Sequence, residues 1–254
     1  MQVSLITCTN NSEETISDSC LSIISQSHKD IEHIVIDNNS TDNTLSIVKE
    51  SKINYQKIFQ QKSNGIYGAL NEGLKLSNGK IIGILHSDDQ LYDDRVIEKI
   101  EKIFCNNNID VLFANLLYVS RKNSKKVIRR WNSNLEEGIQ PNIFLNKMLS
   151  NGWMPPHTTI FIKKNVLEKI GYYDESFKIS SDYDYIIKII KENIFKVFFF
   201  NEYTVKMKIG GISNKNIKNI LLKLTEDYKI IKKNRFNIIK VLLFKNFSKV
   251  KQFF

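Results

Sequence analysis

The run Ile81-Ile82-Gly83-Ile84-Leu85-His86-Ser87-Asp88-Asp89 constrains this chain more than any other stretch, because an apolar segment ends abruptly in two adjacent carboxylates. The segment is short and branched enough for a strand buried on both faces of a parallel sheet. In an open α/β sheet, ligands collect outside the carboxyl ends of such strands. Two acids there repel each other and lose hydration unless a cation or strong donors compensate. A divalent metal holding a diphosphate is one arrangement that satisfies them. The plainer alternative is an acidic helix cap, since Asp93 and Asp94 follow before a periodic segment.

The preceding residues alternate between strand and helix patterns. Val3 to Cys8 predicts a first strand, ending in Thr9-Asn10-Asn11. Asn11 with Glu14 three residues on predicts a capping box, and Ile16, Cys20, Ile23 and Ile24 recur at helical spacing after it. His33 to Ile36 predicts a second strand, running into Asp37-Asn38-Asn39-Ser40-Thr41-Asp42 and then the periodic pair Leu45 and Val48. Two such units predict a parallel, doubly wound start. Asp37 at a strand end suits a base or a ribose; alternatively, Asp37 and Asp42 end a strand and cap a helix.

Neither strand is followed by the glycines of a dinucleotide fingerprint or by a phosphate-binding P-loop. After a third strand over Tyr55 to Phe59, Gly65 and Gly68 near a helix start leave backbone N–H groups suited to phosphate. Asn71 lies one turn along the same face as Gly68.

Beyond the central run, Val96, Ile97, Ile100 and Phe104 predict a helix that Asn106 to Asn108 break. Asp110 to Val119 and Val127 to Trp131 predict a hairpin, which opens a second half with fewer βαβ signals. Its basic cluster of Lys122, Lys125, Lys126, Arg129 and Arg130 reads as solvated surface or as a contact for a negatively charged acceptor. Trp153 and His157 sit in a loop rich in turn formers, where a sugar contact and a packed loop anchor are equally compatible. Ser181-Asp182-Tyr183-Asp184 opens a helical pattern. A carboxylate in a first helical turn is favoured by the helix dipole and available as a base. Phe195 to Phe200 and Thr204 to Met207 predict two further strands, and Gly210 to Ser213 a mobile turn out of the body.

The formal charge of +10 would suggest nucleic acid if it were spread over the fold. It is concentrated instead: residues 206 to 254 hold 13 Lys and Arg against 2 acids, leaving the rest nearly neutral. Ile217, Ile220, Leu221, Leu224, Tyr228 and Ile231, then Ile238, Ile239, Leu242, Leu243, Phe247 and Val250, and the final Phe253-Phe254, predict two basic amphipathic helices too short in apolar sequence to span a bilayer. A helix lying on an anionic membrane surface fits both features. The alternative packs the first helix on the domain and the second on a partner subunit. Cys8, Cys20 and Cys105 form no metal-binding pattern, which fits a reducing compartment. The first residues already read as strand, with no signal-peptide pattern.

Taken in order, four segments resemble the inverting, family 2 glycosyltransferases with the GT-A fold, particularly bacterial enzymes of surface-polysaccharide assembly. Glu32 to Asp42 is similar to the nucleotide-binding signature, and Gly65 to Gly73 to the helix start beneath the sugar nucleotide. His86-Ser87-Asp88-Asp89 stands at the Asp-x-Asp metal motif, and Ser181 to Asp184 at the source of the catalytic base.

The resemblance implies a three-layer α/β/α fold with a mostly parallel sheet over 1–213, plus C-terminal helices over 214–254. Residues 1–105 form the nucleotide-sugar half and 106–213 the acceptor half. It further implies metal-dependent inverting transfer from a nucleoside-diphosphate sugar, with uridine expected, to a glycan or polyprenyl-diphosphate-linked glycan. Asp182 is then the base, and Asp88 the ligand of Mg²⁺ or Mn²⁺. Thr9, Asp37, Asn39, Gly65, Asn71, Ser87, Asp89 and His157 are the donor-binding set. The enzyme is expected in the cytoplasm, at the inner leaflet, with a homo-oligomer open. Two departures stand out. His86 replaces the usual first acid, and Gly68 and Ser63 stand where many relatives carry acids.

Two other classes compete. A nucleotidyltransferase acting on sugar phosphates usually needs a glycine-rich, basic loop near the first strand, and Thr9-Asn10-Asn11-Ser12 lacks one. A non-catalytic nucleotide-sugar-binding module would keep Asp37 but have no use for Asp182. A nucleic-acid binder is disfavoured, because no aromatic-basic strand pattern accompanies the charge.

Overall fold

The computed structural model describes residues 1–210 and 217–251. Four strands, β1 (Val3–Thr9), β2 (Ile31–Asp37), β3 (Gln56–Gln60) and β4 (Ile81–Ile84), alternate with helices α1 (Ile16–Ile24), α2 (Thr44–Glu50) and α3 (Gly65–Leu76). The four strands pair in parallel in the order β3-β2-β1-β4. Every residue of β1, β2 and β4 is buried, which is why these runs read as continuous rather than alternating. Chain order reverses direction between β1 and β4, so the switch point and its crevice lie at the ends of those two strands.

The second half extends the same sheet. A short strand β5 (Asp89–Leu91) and helix α4 (Val96–Asn107) lead to β6 (Val111–Val119), which forms the expected hairpin with β7 (Val127–Trp131). Then follow β8 (Gly138–Gln140), α5 (Asn142–Ser150), a 3-10 turn at His157–Thr159, β9 (Phe161–Lys163), α6 (Lys164–Ile170), α7 (Ser181–Lys191) and β10 (Val197–Lys208). The sheet continues β4-β9-β6-β10-β5, with β9 and the edge strand β5 antiparallel to their neighbours, and β7 and β8 pair antiparallel with β6 and β10 off this path.

Alternate side chains of the strands feed two layers. Ile6, Ile34, Ile36, Ile82 and Ile84 face Leu70 and Leu74 of α3, Leu145 of α5 and Ile186 of α7. Leu5, Ile81 and Leu112 face Val96, Ile97, Ile100 and Phe104 of α4. Cys20 of α1 and Val48 of α2 cover Val35 on the same side as α4. The result is the expected three-layer α/β/α architecture.

Several local expectations are corrected. The first helix begins at Ile16, not after Asn11, which has a positive φ of 47° and accepts the Thr41 N–H through its amide oxygen at 2.9 Å. A capping box is therefore absent there, and Glu14 instead reaches Arg121 at 3.5 Å. The two final strands are one, β10, whose register on β6 shifts between Phe200 and Val205.

The tail forms α8 (Ile217–Lys233) and α9 (Ile238–Lys251), as its periodicity predicts. It is not a detached appendage: Ile230, Ile231 and Val241 are fully buried in the main core. Gly211 to Ser213, and the side chains of Phe247, Val250, Phe253 and Phe254, lie outside the described residues.

Candidate active site

The carboxyl ends of β1, β2 and β4 bring the first group of predicted residues together. Thr9 and Asp37 face each other across the parallel register and share a hydrogen bond of 2.7 Å, the hydroxyl donating. Asp37 also accepts the Ser40 N–H at 2.9 Å and the Ser40 hydroxyl at 2.6 Å. A carboxylate has about four acceptor positions, so roughly one remains for an incoming donor group. Both side chains are otherwise buried. Asp42 takes the plainer alternative, accepting the Thr44 N–H at 3.0 Å at the entrance to α2. Asn39 is exposed at a φ of 51°, and its amide oxygen accepts from Gln60.

Gly65 opens α3 with a φ of 73° and open space where a side chain would stand. Asn64 provides no side-chain cap, so the helix start remains available to an anion. Behind it, the Lys62 and Ser63 N–H groups are taken by Glu72. The two departures at 63 and 68 prove to be neighbours: a Cβ on Gly68 would stand 2.5 Å from the Ser63 hydroxyl. Asn71, placed in the donor site on sequence grounds, points elsewhere. Its amide accepts the Tyr173 N–H at 2.9 Å and donates to the Tyr173 carbonyl at 3.0 Å and to Glu175 at 2.8 Å. It braces the 173–175 loop from α3.

At the end of β4, the Ser87 hydroxyl meets that of Ser12 at 3.0 Å, tying two strand-end turns together. Asp88 is half-buried and Asp89 fully buried. The Asp89 N–H donates to the His86 carbonyl at 3.0 Å, which closes the turn that carries the side chain inward. There, neither carboxylate oxygen has a hydrogen-bond partner, and burial followed by the nearby Asp88 charge holds its pKa well above the usual carboxylate range. Asp89 is thereby a buried acid rather than an open ligand.

The second group arrives from the other half. Asp182 stands in the first turn of α7, half-buried, accepting the Tyr67 hydroxyl at 3.3 Å and the Tyr183 N–H at 2.8 Å. His86 lies within electrostatic reach of both Asp88 and Asp182; burial lowers its pKa and the two carboxylates oppose that shift. The metal-motif acid and the base candidate, 94 positions apart in sequence, therefore act on one imidazole. His157 stands beside it, ring centroids 6.3 Å apart, and meets the Tyr173 hydroxyl at 2.7 Å. Burial depresses the His157 pKa to about 4, so its ring is neutral at neutral pH.

Sequence reasoning missed Tyr67, Tyr173 and Tyr185, which stack in series beneath His157. The spacing of Tyr67 from Leu70 and Leu74 was the one available signal of its inward position, and nothing local links it to Asp182. Asp184 is buried and ion-paired with Lys188 at 3.1 Å and Lys233 at 3.0 Å, which explains the second acid of that segment. Among the described residues, no group of three or more His, Cys, Asp or Glu side chains is placed to hold a metal ion.

The comparisons agree with this geometry. The family model described as glycosyl transferase family 2 matches residues 4–171. An uncharacterized glycosyltransferase of Rickettsia typhi is 27% identical over 219 residues, covering 84% of this chain and 66% of its own length. The UDP-Glc:alpha-D-GlcNAc-diphosphoundecaprenol beta-1,3-glucosyltransferase WfgD of Escherichia coli is 27% identical over 193 residues, 75% of this chain and 70% of that one. The chain thus spans about two thirds of the length of the curated relatives it matches. Among solved structures, S. aureus TarS 1-349 in complex with UDP-GlcNAc superposes with a TM-score of 0.72 at 21% identity, covering 91% of this chain and 67% of that one. The mannosyltransferase PcManGT from Pyrobaculum calidifontis, in complex with GDP-Man and Mn²⁺, gives 0.63 at 16% identity, covering 92% and 64%. These structures share the fold, and the family match over residues 4–171 carries the assignment: this chain belongs to glycosyl transferase family 2.

Proposed function

We propose that this chain transfers a sugar, with inversion, from a uridine-diphosphate sugar to a hydroxyl of a polyprenyl-diphosphate-linked glycan in surface-polysaccharide assembly. The observation that carries the reading is that the charges of Asp88, at the end of β4 beside the switch point, and of Asp182, at the start of α7, both act on His86, whose ring stands 6.3 Å from that of His157. WfgD, by its name, uses UDP-Glc and a GlcNAc-diphosphoundecaprenol acceptor, and TarS has been crystallised with UDP and UDP-GlcNAc.

In this scheme Asp37, positioned by Thr9 and Ser40, accepts one hydrogen bond from the base or ribose. Asn39 and Ser87 border the nucleotide, and the start of α3 at Gly65 receives the diphosphate. With Asp89 buried, the open donors here are the Asp88 carboxylate and the His86 imidazole. Of these, the Asp88 carboxylate would hold Mg²⁺ or Mn²⁺, hard ions that take one or two carboxylates beside a substrate phosphate, while His86 stands next to it. Bound there, the ion would neutralise charge developing on the leaving diphosphate. Asp182 takes the proton from the acceptor hydroxyl as that oxygen bonds to the anomeric carbon. The bond from that carbon to the diphosphate oxygen breaks on the opposite face. His157, neutral and fixed by Tyr173, lines the sugar side.

Calorimetric titration with UDP, GDP and CMP, with and without Mn²⁺, tests this reading. UDP binding that requires Mn²⁺ and is lost in Asp88→Ala is expected. Binding indifferent to both metal and Asp88 would remove the metal from the scheme, and preference for GDP would change the donor.

A membrane surface is the second element of the proposal. Ile217, Leu221, Ile239, Leu243 and Phe244 on α8 and α9 are more than half exposed, interleaved with the lysines of the basic tail. An anionic leaflet complements both features. Among the described residues no helix is long and apolar enough to cross a membrane. Because α8 and α9 also bury core residues, surface substitutions test the point better than truncation. The quadruple variant Ile217→Ser, Leu221→Ser, Ile239→Ser and Leu243→Ser is expected to stay at the bottom of a flotation gradient with anionic liposomes, while the unmodified chain floats. Equal behaviour of the two would dismiss the lipid surface.

A further inference from the structure

We propose that Glu226, on tail helix α8, is a positioning residue for Asp182, which makes the tail a working part of the active site. This rests on the reading of Asp182 as the base. Glu226 is 4% exposed and accepts three consecutive backbone N–H groups, from Lys178 at 2.8 Å, Ile179 at 2.9 Å and Ser180 at 2.9 Å. These residues form the segment that enters α7, two positions before Asp182. Ser180 supplies no side-chain cap, so the start of α7 depends on outside partners.

The same segment is held from the opposite side. The single proton of the Tyr67 hydroxyl of α3 is shared between the Ile179 carbonyl at 2.6 Å and Asp182 itself at 3.3 Å. The 178–182 segment is thus clamped between α3, which belongs to the nucleotide half, and α8, which belongs to the tail.

The docking of α8 gives the clamp its rigidity. Glu226, Ile230 and Lys233 fall at helical spacings of four and three, on one face. Along that face Ile230 is fully buried and Lys233 reaches Asp184. The neighbouring Asp227 pairs with Lys245 of α9 at 2.8 Å, and the Lys245 ammonium stands 3.7 Å from the centre of the Tyr183 ring, one residue from Asp182. Removing Glu226 takes the acceptor from three consecutive N–H groups, of which that of Ser180 is buried and those of Lys178 and Ile179 are partly so, and frees the backbone that aims the base. A misplacement of about 1 Å at a reacting group costs on the order of 100-fold in rate.

The test uses the full chain and three substitutions: Glu226→Ala, Glu226→Gln and Asp182→Asn. Amide exchange of 178–180, UDP affinity, and UDP release from UDP-glucose or UDP-GlcNAc with a GlcNAc-diphosphoprenol acceptor are measured for each. Glu226→Ala is expected to speed exchange at 178–180 by about 10-fold or more and to lower kcat about 100-fold. It is expected to leave the UDP Kd unchanged, since the hydrogen bonds of Glu226 go to the backbone of 178–180 rather than to the strand ends and the α3 start that would hold the nucleotide. Glu226→Gln, which keeps one acceptor oxygen and the packing volume, is expected to recover part of kcat. Combined with Asp182→Asn, Glu226→Ala is expected to cause no further loss. Unchanged exchange, a full additional loss in the Asp182→Asn background, or a weakened UDP Kd with unchanged kcat would each overturn the proposal. A wild type that neither binds UDP nor turns over either donor fails the functional reading instead, and the exchange measurement still decides whether Glu226 holds the segment.

Discussion

The end of β4 and the start of α7 each present a closely spaced pair of acids, one half-buried and one fully buried, yet the two regions accommodate the buried member differently. Asp184 is matched by two lysines, Lys188 from its own helix and Lys233 from the tail. Asp89 has no hydrogen-bond partner, and its environment favours the protonated form. At α7 the buried acid fastens another helix in place. At β4 it closes a turn, and burial works against its charge. In both regions the other acid, Asp182 or Asp88, stays half-buried, and the charges of both act on His86. Adjacent carboxylates therefore do not imply a pair of metal ligands; burial divides the labour between them.

The sharpest way to break this comparison is at the half-buried acids. Asp182→Asn removes the proposed proton acceptor while preserving the hydrogen bonds from Tyr67 and the Tyr183 N–H. Turnover is expected to fall by about 10² to 10⁴-fold, with UDP affinity retained. UDP release assayed beside calorimetry checks both halves of that statement. A variant that keeps its rate would reassign the base.

How much of this was legible before the fold was known depends on how local each signal was. β1, β2 and β4 were readable because strands buried on both faces form unbroken branched runs, and Thr9, Asp37 and Asp88 followed as their ends. α5 leaves no such trace, because only Leu145 and Leu149 of its nine residues are buried, too few to establish a helical period. The partition of Asp88 from Asp89 depends on β5 pairing with β10, a contact between residues more than a hundred positions apart. Asn71 shares a face with Gly68 as expected, but its partner loop at 173–175 is equally remote. The tail was read as surface-seeking because an amphipathic helix has the same pattern against lipid or against α7. One signal was available there: its only two acids, Glu226 and Asp227, sit side by side among 13 bases, and both are buried.

A third solution to a buried titratable group sharpens the comparison. His33 in β2 is fully buried between the Thr7 hydroxyl at 3.0 Å and Gln56 at 3.2 Å, and burial lowers its pKa from 6.5 to about 4. Its folded value lies below its unfolded one, so the unfolded chain binds more protons between these limits. Stability contributed by the neutral ring is present above pH 6.5 and lost as pH falls toward 4. The loss is on the order of 3 kcal/mol from this residue. His157 shifts in the same direction and adds to it. Guanidinium melts at pH 7 and pH 4.5 should show the loss, and His33→Gln should reduce it. An acid limb unaltered by His33→Gln would remove the residue from this account.

At α7 the expected effect is smaller, because the lysines can turn to water. Lys233 is about half exposed and Lys188 about a third, which screens their attraction to Asp184. Asp184→Asn keeps the shape and removes the charge, and should cost about 1–2 kcal/mol of stability at low salt. Raising the salt concentration should narrow the difference. A cost that does not respond to salt would mean that Asp184 acts through packing alone.

The smallest effect is expected at Asp89, and its sign separates the two regions most cleanly. Its folded pKa lies above the ordinary value of 3.8, so above that pH the folded state holds a proton that the unfolded chain releases. Stability is therefore lost as pH rises from the ordinary value through the folded one, the opposite of the behaviour of His33. Asp89→Asn removes the titration while keeping a neutral polar side chain of the same shape. At pH 5 it should lie within about 0.5 kcal/mol of the wild type, and at pH 8 it should be at least as stable. Asp184→Asn should be less stable than wild type at both. Melts of the two variants at these two pH values give four numbers. If Asp89→Asn loses stability with rising pH as the wild type does, the protonated Asp89 is refuted, and the two buried acids would be accommodated alike.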